Sequence, residues 1–249
     1  MIASLSRRLC LLLAVSTAAF AGESPTDRFV LTSRTPATDF YAFIGPAWSQ
    51  DRDGGDVWSA ALELRGVRSF GSKFVIDVEM AVESNLRYLP DDDSTPLAIG
   101  DTALRYSMGF RDLLGIDFVT LTGREVLSEE SANFPRTVDR TFQLRAQGGW
   151  TRLGYDASIT YLDFPDSAQA GNDGTTKSIG YRGQFGVYHL GLDYAWTDRR
   201  RVADQEALDF VVMRRSYRGD SCYALVQKGL SDDNDGWYVG VGYEFRINP

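Results

Sequence analysis

The sequence has little cysteine and almost no histidine. Of its 249 residues, two are cysteine and one is histidine. Cys10 lies in an N-terminal segment that we expect to be removed, so the mature chain keeps only Cys222 and can form no internal disulfide. His189 stands apart from Cys222, whereas a metal site needs several such ligands together. We therefore expect neither a metal site nor a cofactor.

Positive charge is also scarce. The 26 Lys and Arg residues are outnumbered by 34 Asp and Glu residues, which gives a formal net charge of −8. Arg7 and Arg8 belong to the segment expected to be removed, so the mature chain is more acidic still. Proteins that bind nucleic acids carry basic patches or stripes, and this composition argues against such a partner.

Long apolar runs are missing beyond the N-terminus, so no transmembrane helix is predicted. The run at 9–15 is well short of the ~20 residues that a spanning helix needs. An arginine pair before it and an Ala-Phe-Ala site after it are typical of a secretory signal peptide over 1–21, cleaved before Gly22. Cys10 lies inside the run, which disfavours lipoprotein processing. Residues 22–38 are predicted as an irregular periplasmic lead-in.

Apolar and polar residues alternate with a period of two along the remainder of the chain. This is the pattern of β-strands with two unlike faces, and no amphipathic helix pattern interrupts it. Most predicted strands are near the 9–11 residues that cross a bilayer when tilted. The alternation predicts one all-β domain over 39–249 with about twelve strands: 39–48, 56–69, 73–88, 97–110, 115–126, 139–150, 153–163, 176–186, 189–197, 206–217, 221–229 and 236–247.

A short unit with an arginine and, about a dozen residues later, an aspartate recurs at intervals of roughly 35 to 40 residues. If each unit is a β-hairpin that turns midway, the arginine and the aspartate face each other across the strands. Four pairs then form a charge belt on the polar face: Arg65 with Asp77, Arg105 with Asp117, Arg145 with Asp156, and Arg182 with Asp193. Further charges are predicted on that face at Glu63, Glu79, Arg215, Glu244 and Arg246.

Tight turns and long polar loops alternate between the strands, and both ends of the strand region fall on the tight-turn side. Outer-membrane barrels show short periplasmic turns and long external loops in this way. Trp and Tyr residues accumulate near strand ends on the apolar face, as in the aromatic girdles of membrane proteins. Glycines are predicted on the polar face: Gly109, Gly123, Gly180, Gly191, Gly240 and Gly242. A soluble barrel would instead place its apolar face inside.

The last strand alternates without a break from Trp237 to Ile247, and it resembles the C-terminal recognition signal of bacterial outer-membrane proteins. The whole mature chain resembles this architectural class: a single antiparallel transmembrane β-barrel. The resemblance implies the outer membrane as location, and lipid, lipopolysaccharide and the barrel-assembly machinery as partners. It names no activity.

Three functions stay open at this point. A polar, glycine-rich interior favours a small passive channel whose charge belt selects ions or small polar solutes. Full pairing of the belt favours a non-conducting structural or surface-interaction barrel. An enzyme acting on lipid or peptide has the least support, because His189 is predicted at a tight turn, away from any nucleophile. The solute, the gating and the oligomeric state do not follow from the sequence.

Overall fold

The protein is a closed antiparallel barrel of twelve strands. The computed structural model describes residues 38–50, 56–71, 76–88, 97–127, 140–150, 153–163, 173–199, 204–216, 220–231 and 235–247. The predicted signal peptide and nearly all of the predicted lead-in lie outside these residues. Among the described residues, no helix is long and apolar enough to cross a membrane.

Each strand pairs with its neighbours in the chain, and the first strand closes the barrel against the last. The predicted strand boundaries differ from the observed ones by no more than three residues. The strands are β1 (Thr38–Gln50), β2 (Asp56–Phe70), β3 (Ile76–Tyr88), β4 (Leu97–Leu113), β5 (Ile116–Val126), β6 (Arg140–Trp150), β7 (Leu153–Asp163), β8 (Gly174–Phe185), β9 (Tyr188–Arg199), β10 (Gln205–Arg215), β11 (Ser221–Gly229) and β12 (Trp237–Arg246).

The wall has two different faces because successive side chains of a strand point to opposite sides. On β10, Phe210 points outward with 46% of its surface exposed, whereas the adjacent Val211 points inward and is 0% exposed. The outer face is dominated by large apolar side chains, including Leu64, Met80, Leu144 and Val241. The inner face carries the buried charges, among them Arg105 at 2% exposure. The closed barrel is therefore apolar outside and charged inside.

The turn between β4 and β5 fixes where the charges of this hairpin lie. Leu114 and Gly115 both have positive φ angles, of 54° and 83°. A two-residue hairpin loop with two positive φ angles matches the right-handed twist of the flanking strands. Leu113 consequently pairs with Ile116, and Arg105 pairs with Arg124. The predicted turn is earlier in the chain, and this difference changes the face of the sheet on which Asp117 lies.

Candidate functional site: the charged interior of the barrel

Asp117 lies on the outer wall, so the expected pair between Arg105 and Asp117 is wrong. The strand partner of Arg105 is Arg124, seven residues beyond Asp117. An odd displacement in register moves a side chain to the other face of the sheet. Asp117 is exposed, and its carboxylate accepts a hydrogen bond of 2.9 Å from the Gly149 backbone amide.

The expected pair between Arg65 and Asp77 is wrong for a different reason. The strand partner of Arg65 is Ala81, four residues beyond Asp77, and an even displacement keeps both side chains on the inner face. Asp77 accepts a hydrogen bond of 2.5 Å from Ser69 and forms an ion pair of 2.8 Å with Arg111. The two residues share a face but lie at different heights along the barrel.

The other two expected pairs do form contacts, although diagonally. Arg145 is opposite Ser158, and its Nε donates to the Asp156 carboxylate at 2.9 and 3.1 Å. Arg182 is opposite Gly191, and its Nη2 lies 2.9 Å from Asp193 Oδ1. A displacement of two residues leaves long side chains within reach across the diagonal.

Two glycines make room for the Arg182–Asp193 pair. A Cβ at Gly180 would overlap the Asp193 carboxylate and come within 2.7 Å of the Leu192 carbonyl oxygen. A Cβ at Gly191 would lie 3.0 Å from Arg182 Nη1. Both glycines face the interior, as predicted, so the two charged side chains lie flat against the wall. Gly123 is the exception among the predicted inner glycines, because it lies on the outer wall under the ring of Tyr106.

We define the first charge cluster as the ion pairs on the inner face of β2 to β5 together with Glu244 of β12. Arg105 binds Glu63 and Glu79 at 3.0 Å each and Glu83 at 3.1 Å. Arg124 binds Glu83 at 2.9 Å. Arg65 contacts Glu244, reaching past β1, and approaches Glu79 at 3.6 Å. The contacts join strands that are not neighbours, so the cluster ties part of the barrel together across its interior.

The second charge cluster lies on the inner face of β6 to β10. Asp156 is 3% exposed. Its carboxylate accepts hydrogen bonds from Arg145, from Arg182 at 3.1 Å and from the side-chain amide of Gln147 at 2.6 Å. Asp209 of β10 is directly opposite Asp193 and is equally buried. Three carboxylates and two guanidinium groups thus meet in one part of the interior.

The remaining predicted inner charges are on the inner face. Glu63, Glu79 and Glu244 belong to the first charge cluster, Arg246 pairs with Asp39, and Arg215 ends β10 on the same face. Glu125 and Lys228 lie on the outer wall, where Glu125 pairs with Arg140 at 3.3 Å and Lys228 stacks on Trp237.

The inner face is nearly balanced in charge. Among the residues whose side chains the structure describes, it carries nine carboxylates and eight arginines, one net negative charge. The carboxylates are Asp39, Glu63, Asp77, Glu79, Glu83, Asp156, Asp193, Asp209 and Glu244, and the arginines are Arg65, Arg105, Arg111, Arg124, Arg145, Arg182, Arg215 and Arg246. The interior of the described barrel is therefore close to neutral. Sequence reasoning missed Arg111 and Arg124, whose inward direction follows from the alternation once the turn at Leu114 is known.

An apolar patch occupies the inner face of β10 to β12 and β1. Val211, Met213 and Leu225 are buried there under Tyr223 and Tyr238. The rings of Phe43 and Tyr223 stack with centroids 5.5 Å apart. They lie against glycines: a Cβ at Gly242 would come within 2.6 Å of Tyr223 and 2.7 Å of Phe43. The aromatic pair consequently lies on the inner face formed by β11, β12 and β1.

A polar cavity of about 40 Å³ lies on the inner face of β6 to β10. It is lined by Gln143, Arg145, Asp156, Ser158, Thr160, Thr176, Ser178, Arg182, Asp193, Ala195 and Asp209. Its walls combine hydroxyl groups with the second charge cluster.

His189 is at the start of β9, beside the tight turn that follows β8, where it was predicted. Cys222 lies on β11, exposed on the outer wall. In the described ranges, no group of three or more His, Cys, Asp or Glu residues could hold a metal ion.

Known structures are similar to this barrel in fold. No family model and no curated protein matches the sequence. An outer membrane channel from Pseudomonas putida F1 is 12% identical, with a TM-score of 0.62 over 90% of this chain and 100% of that one. The KdgM porin is 10% identical, with a TM-score of 0.51 over 83% of this chain and 99% of that one. The β domain of the Bordetella autotransporter Brka is 12% identical, with a TM-score of 0.50 over 85% of this chain and 100% of that one. The chain thus has the architecture of bacterial outer-membrane barrels, which proteins of different function share.

Proposed function

We propose that the chain is a bacterial outer-membrane channel through which ions and small polar solutes cross passively. The observation that carries the proposal is the inverted wall, with charge clusters buried inside and apolar side chains exposed outside. A soluble barrel gains stability from an apolar interior, whereas a membrane barrel places its apolar band against lipid and its polar groups within. The similarity in fold to an outer membrane channel and a porin supports the same function.

The proposal includes an orientation and a route of export. The segment 1–21 directs the chain across the inner membrane and is cleaved before Gly22. The tight turns, with both ends of the barrel, face the periplasm, and the long loops face outward among lipopolysaccharide. The regular outer face of β12 engages the barrel-assembly machinery before β12 closes against β1.

The two charge clusters and the aromatic pair shape the route. Rings of paired charges constrict the lumen of a channel and act on whatever crosses. Because each arginine here is bound to carboxylates, the route presents both signs to a solute. We therefore propose weak ion selectivity and passage of small polar solutes.

Ion leakage from vesicles tests the proposal in the purified protein. The chain should fractionate with outer membranes, migrate in a heat-modifiable way on gels, and release trapped potassium from phospholipid vesicles. A heat-modifiable barrel that leaves the vesicles tight would contradict the channel function while keeping the fold.

A non-conducting structural barrel is the second candidate. It is favoured by the number of side chains that fill the interior, namely two charge clusters and a stacked aromatic pair. An enzyme is not proposed, because His189 lies at the tight-turn end, which the proposed orientation places in the periplasm.

A further inference from the structure

The lining of the polar cavity extends from the second charge cluster toward the long-loop ends of β6 to β8. On β6 to β8, Gln143, Thr160 and Thr176 lie nearer the loop ends of their strands than Arg145, Asp156 and Arg182 do. The wall consists of the first three residues together with Ser158 and Ser178, and the second charge cluster forms the floor. We call this arrangement the polar cup.

The wall of the polar cup is built from hydroxyl and amide groups on adjacent strands. Ser158 and Ser178 are opposite each other with hydroxyl oxygens 2.7 Å apart. Gln143 donates to the Thr160 hydroxyl at 3.0 Å. A hydroxyl offers one donor and two acceptor positions, so one such bond leaves capacity for a ligand.

The floor of the polar cup presents charges that largely neutralise one another. Asp156 is bound by both Arg145 and Arg182, and Arg182 also binds Asp193. An ion that enters the cup meets charges of both signs. An apolar molecule would displace water from polar groups without replacing the lost hydrogen bonds, which is unfavourable. A neutral molecule with several hydroxyl groups can donate to the carboxylates and accept from the guanidinium groups.

We infer that the polar cup is a binding subsite for small neutral polyhydroxylated solutes, such as simple sugars and polyols, and this rests on the proposed channel function. The cavity of about 40 Å³ holds roughly three waters. A solute with several hydroxyls displaces such waters and reproduces their hydrogen bonds. Its binding therefore loses no affinity from hydrogen bonds left unmade. Because the cup has room for roughly three waters, it engages one hydroxyl-bearing edge of a sugar, and the remainder of the molecule stays outside the cup.

Block of ion current by glucose tests the inference. Purified protein in planar bilayers is titrated with glucose in potassium chloride, and the half-blocking concentration is measured. The test variant is Ser158→Ala/Ser178→Ala, which removes facing hydroxyls from the wall. The control is Ser107→Ala/Thr122→Ala, which removes an equivalent facing pair on β4 and β5, away from the cup. Heat-modifiable migration on gels verifies folding of both variants.

We expect saturable block of the wild type, with a half-blocking concentration that rises roughly tenfold in the test variant, as the loss of two hydrogen bonds implies. The control should stay close to the wild type. Ion current without saturable block, or an equal rise in both variants, would overturn the subsite.

If no ion current is observed, the channel function is contradicted. Binding of glucose at the polar cup is then tested separately. Saturation-transfer NMR then measures glucose binding to the detergent-solubilised barrel. Transfer that is lost only in Ser158→Ala/Ser178→Ala supports the subsite. No transfer to the wild type, or equal transfer in both variants, overturns it.

Discussion

Glu63 lies directly opposite Glu83 on neighbouring strands, and the guanidinium group of Arg105 binds both carboxylates, at 3.0 and 3.1 Å. Like charges in facing positions destabilise a pair of strands. Arg105 reverses that effect from β4, two strands away from Glu63. The first charge cluster therefore contains a repulsive carboxylate pair that Arg105 bridges, with Arg124 also bound to Glu83.

Removal of that arginine should destabilise the barrel. Arg105→Gln leaves Glu63, Glu79 and Glu83 with Arg65 and Arg124 as neighbouring cations, so the cost should lie below the about 3–5 kcal/mol of a fully broken buried pair. The free energy of unfolding, measured by denaturant titration in vesicles, reports the loss. Adding Glu83→Gln to the same variant should restore part of it, because the facing repulsion is removed. If the second substitution deepens the loss, the repulsive pair is not what Arg105 compensates.

A double-mutant cycle distinguishes the diagonal pair from the pair that does not form. Arg145→Gln and Asp156→Asn remove two ends of one buried ion pair, so their effects on the free energy of unfolding should couple by about 0.5–3 kcal/mol. Arg105→Gln and Asp117→Asn act on opposite faces and should add within about 0.5 kcal/mol. Coupling of equal size in both cycles would contradict the register described for β4 and β5.

An alanine at Gly242 should narrow the route. Its Cβ collides with the stacked rings of Tyr223 and Phe43 and pushes them toward the middle of the interior. We expect a loss of about 1–3 kcal/mol in stability and a lower single-channel conductance. Adding Tyr223→Ser should restore the conductance.

Gly123→Ala is the matched control for that experiment. Its Cβ also meets a tyrosine ring, that of Tyr106, but on the outer wall, where the ring is free to move outward. It should lower stability and leave the conductance unchanged. If conductance falls equally in both glycine variants, displacement of the Tyr223 and Phe43 rings is not the cause of the fall.

A charged substitution on the outer wall should cost more stability the deeper it lies in the bilayer. Leu144 is on the outer face near the middle of β6, and Leu114 is 94% exposed at the β4–β5 turn. Leu144→Arg should cost about 2–4 kcal/mol in phospholipid vesicles, and Leu114→Arg about 0–1 kcal/mol. The free energies of unfolding in vesicles give both values. Costs near zero at both positions would place the outer wall in water.

The number of strands and the two faces of the wall could be predicted from the sequence because period-two alternation is a local pattern. The ion pairs could be predicted only in part, because register depends on the position of each turn. The loop at Leu114 and Gly115 comes later than expected, and this alone moves Asp117 to the outer wall. Arg145 and Arg182 still reach their predicted aspartates, since an error of two residues is bridged by a long side chain.

The reach of Arg105 to Glu63 could not be predicted at all. The two residues are on strands separated by β3, and only the curvature of the closed barrel brings their side chains together. The same holds for Arg65 and Glu244, which meet across β1. A strand-by-strand pattern contains no information on such contacts.

Single-channel recording in a planar bilayer tests the central claim, that the charged interior is a route across the membrane. The purified wild type should give discrete conductance steps. Arg105→Ala should give larger steps with a stronger preference for cations, because it removes bulk and positive charge from the lumen together. A heat-modifiable wild type that gives no steps above the bare bilayer would contradict the claim and make the charge clusters purely structural.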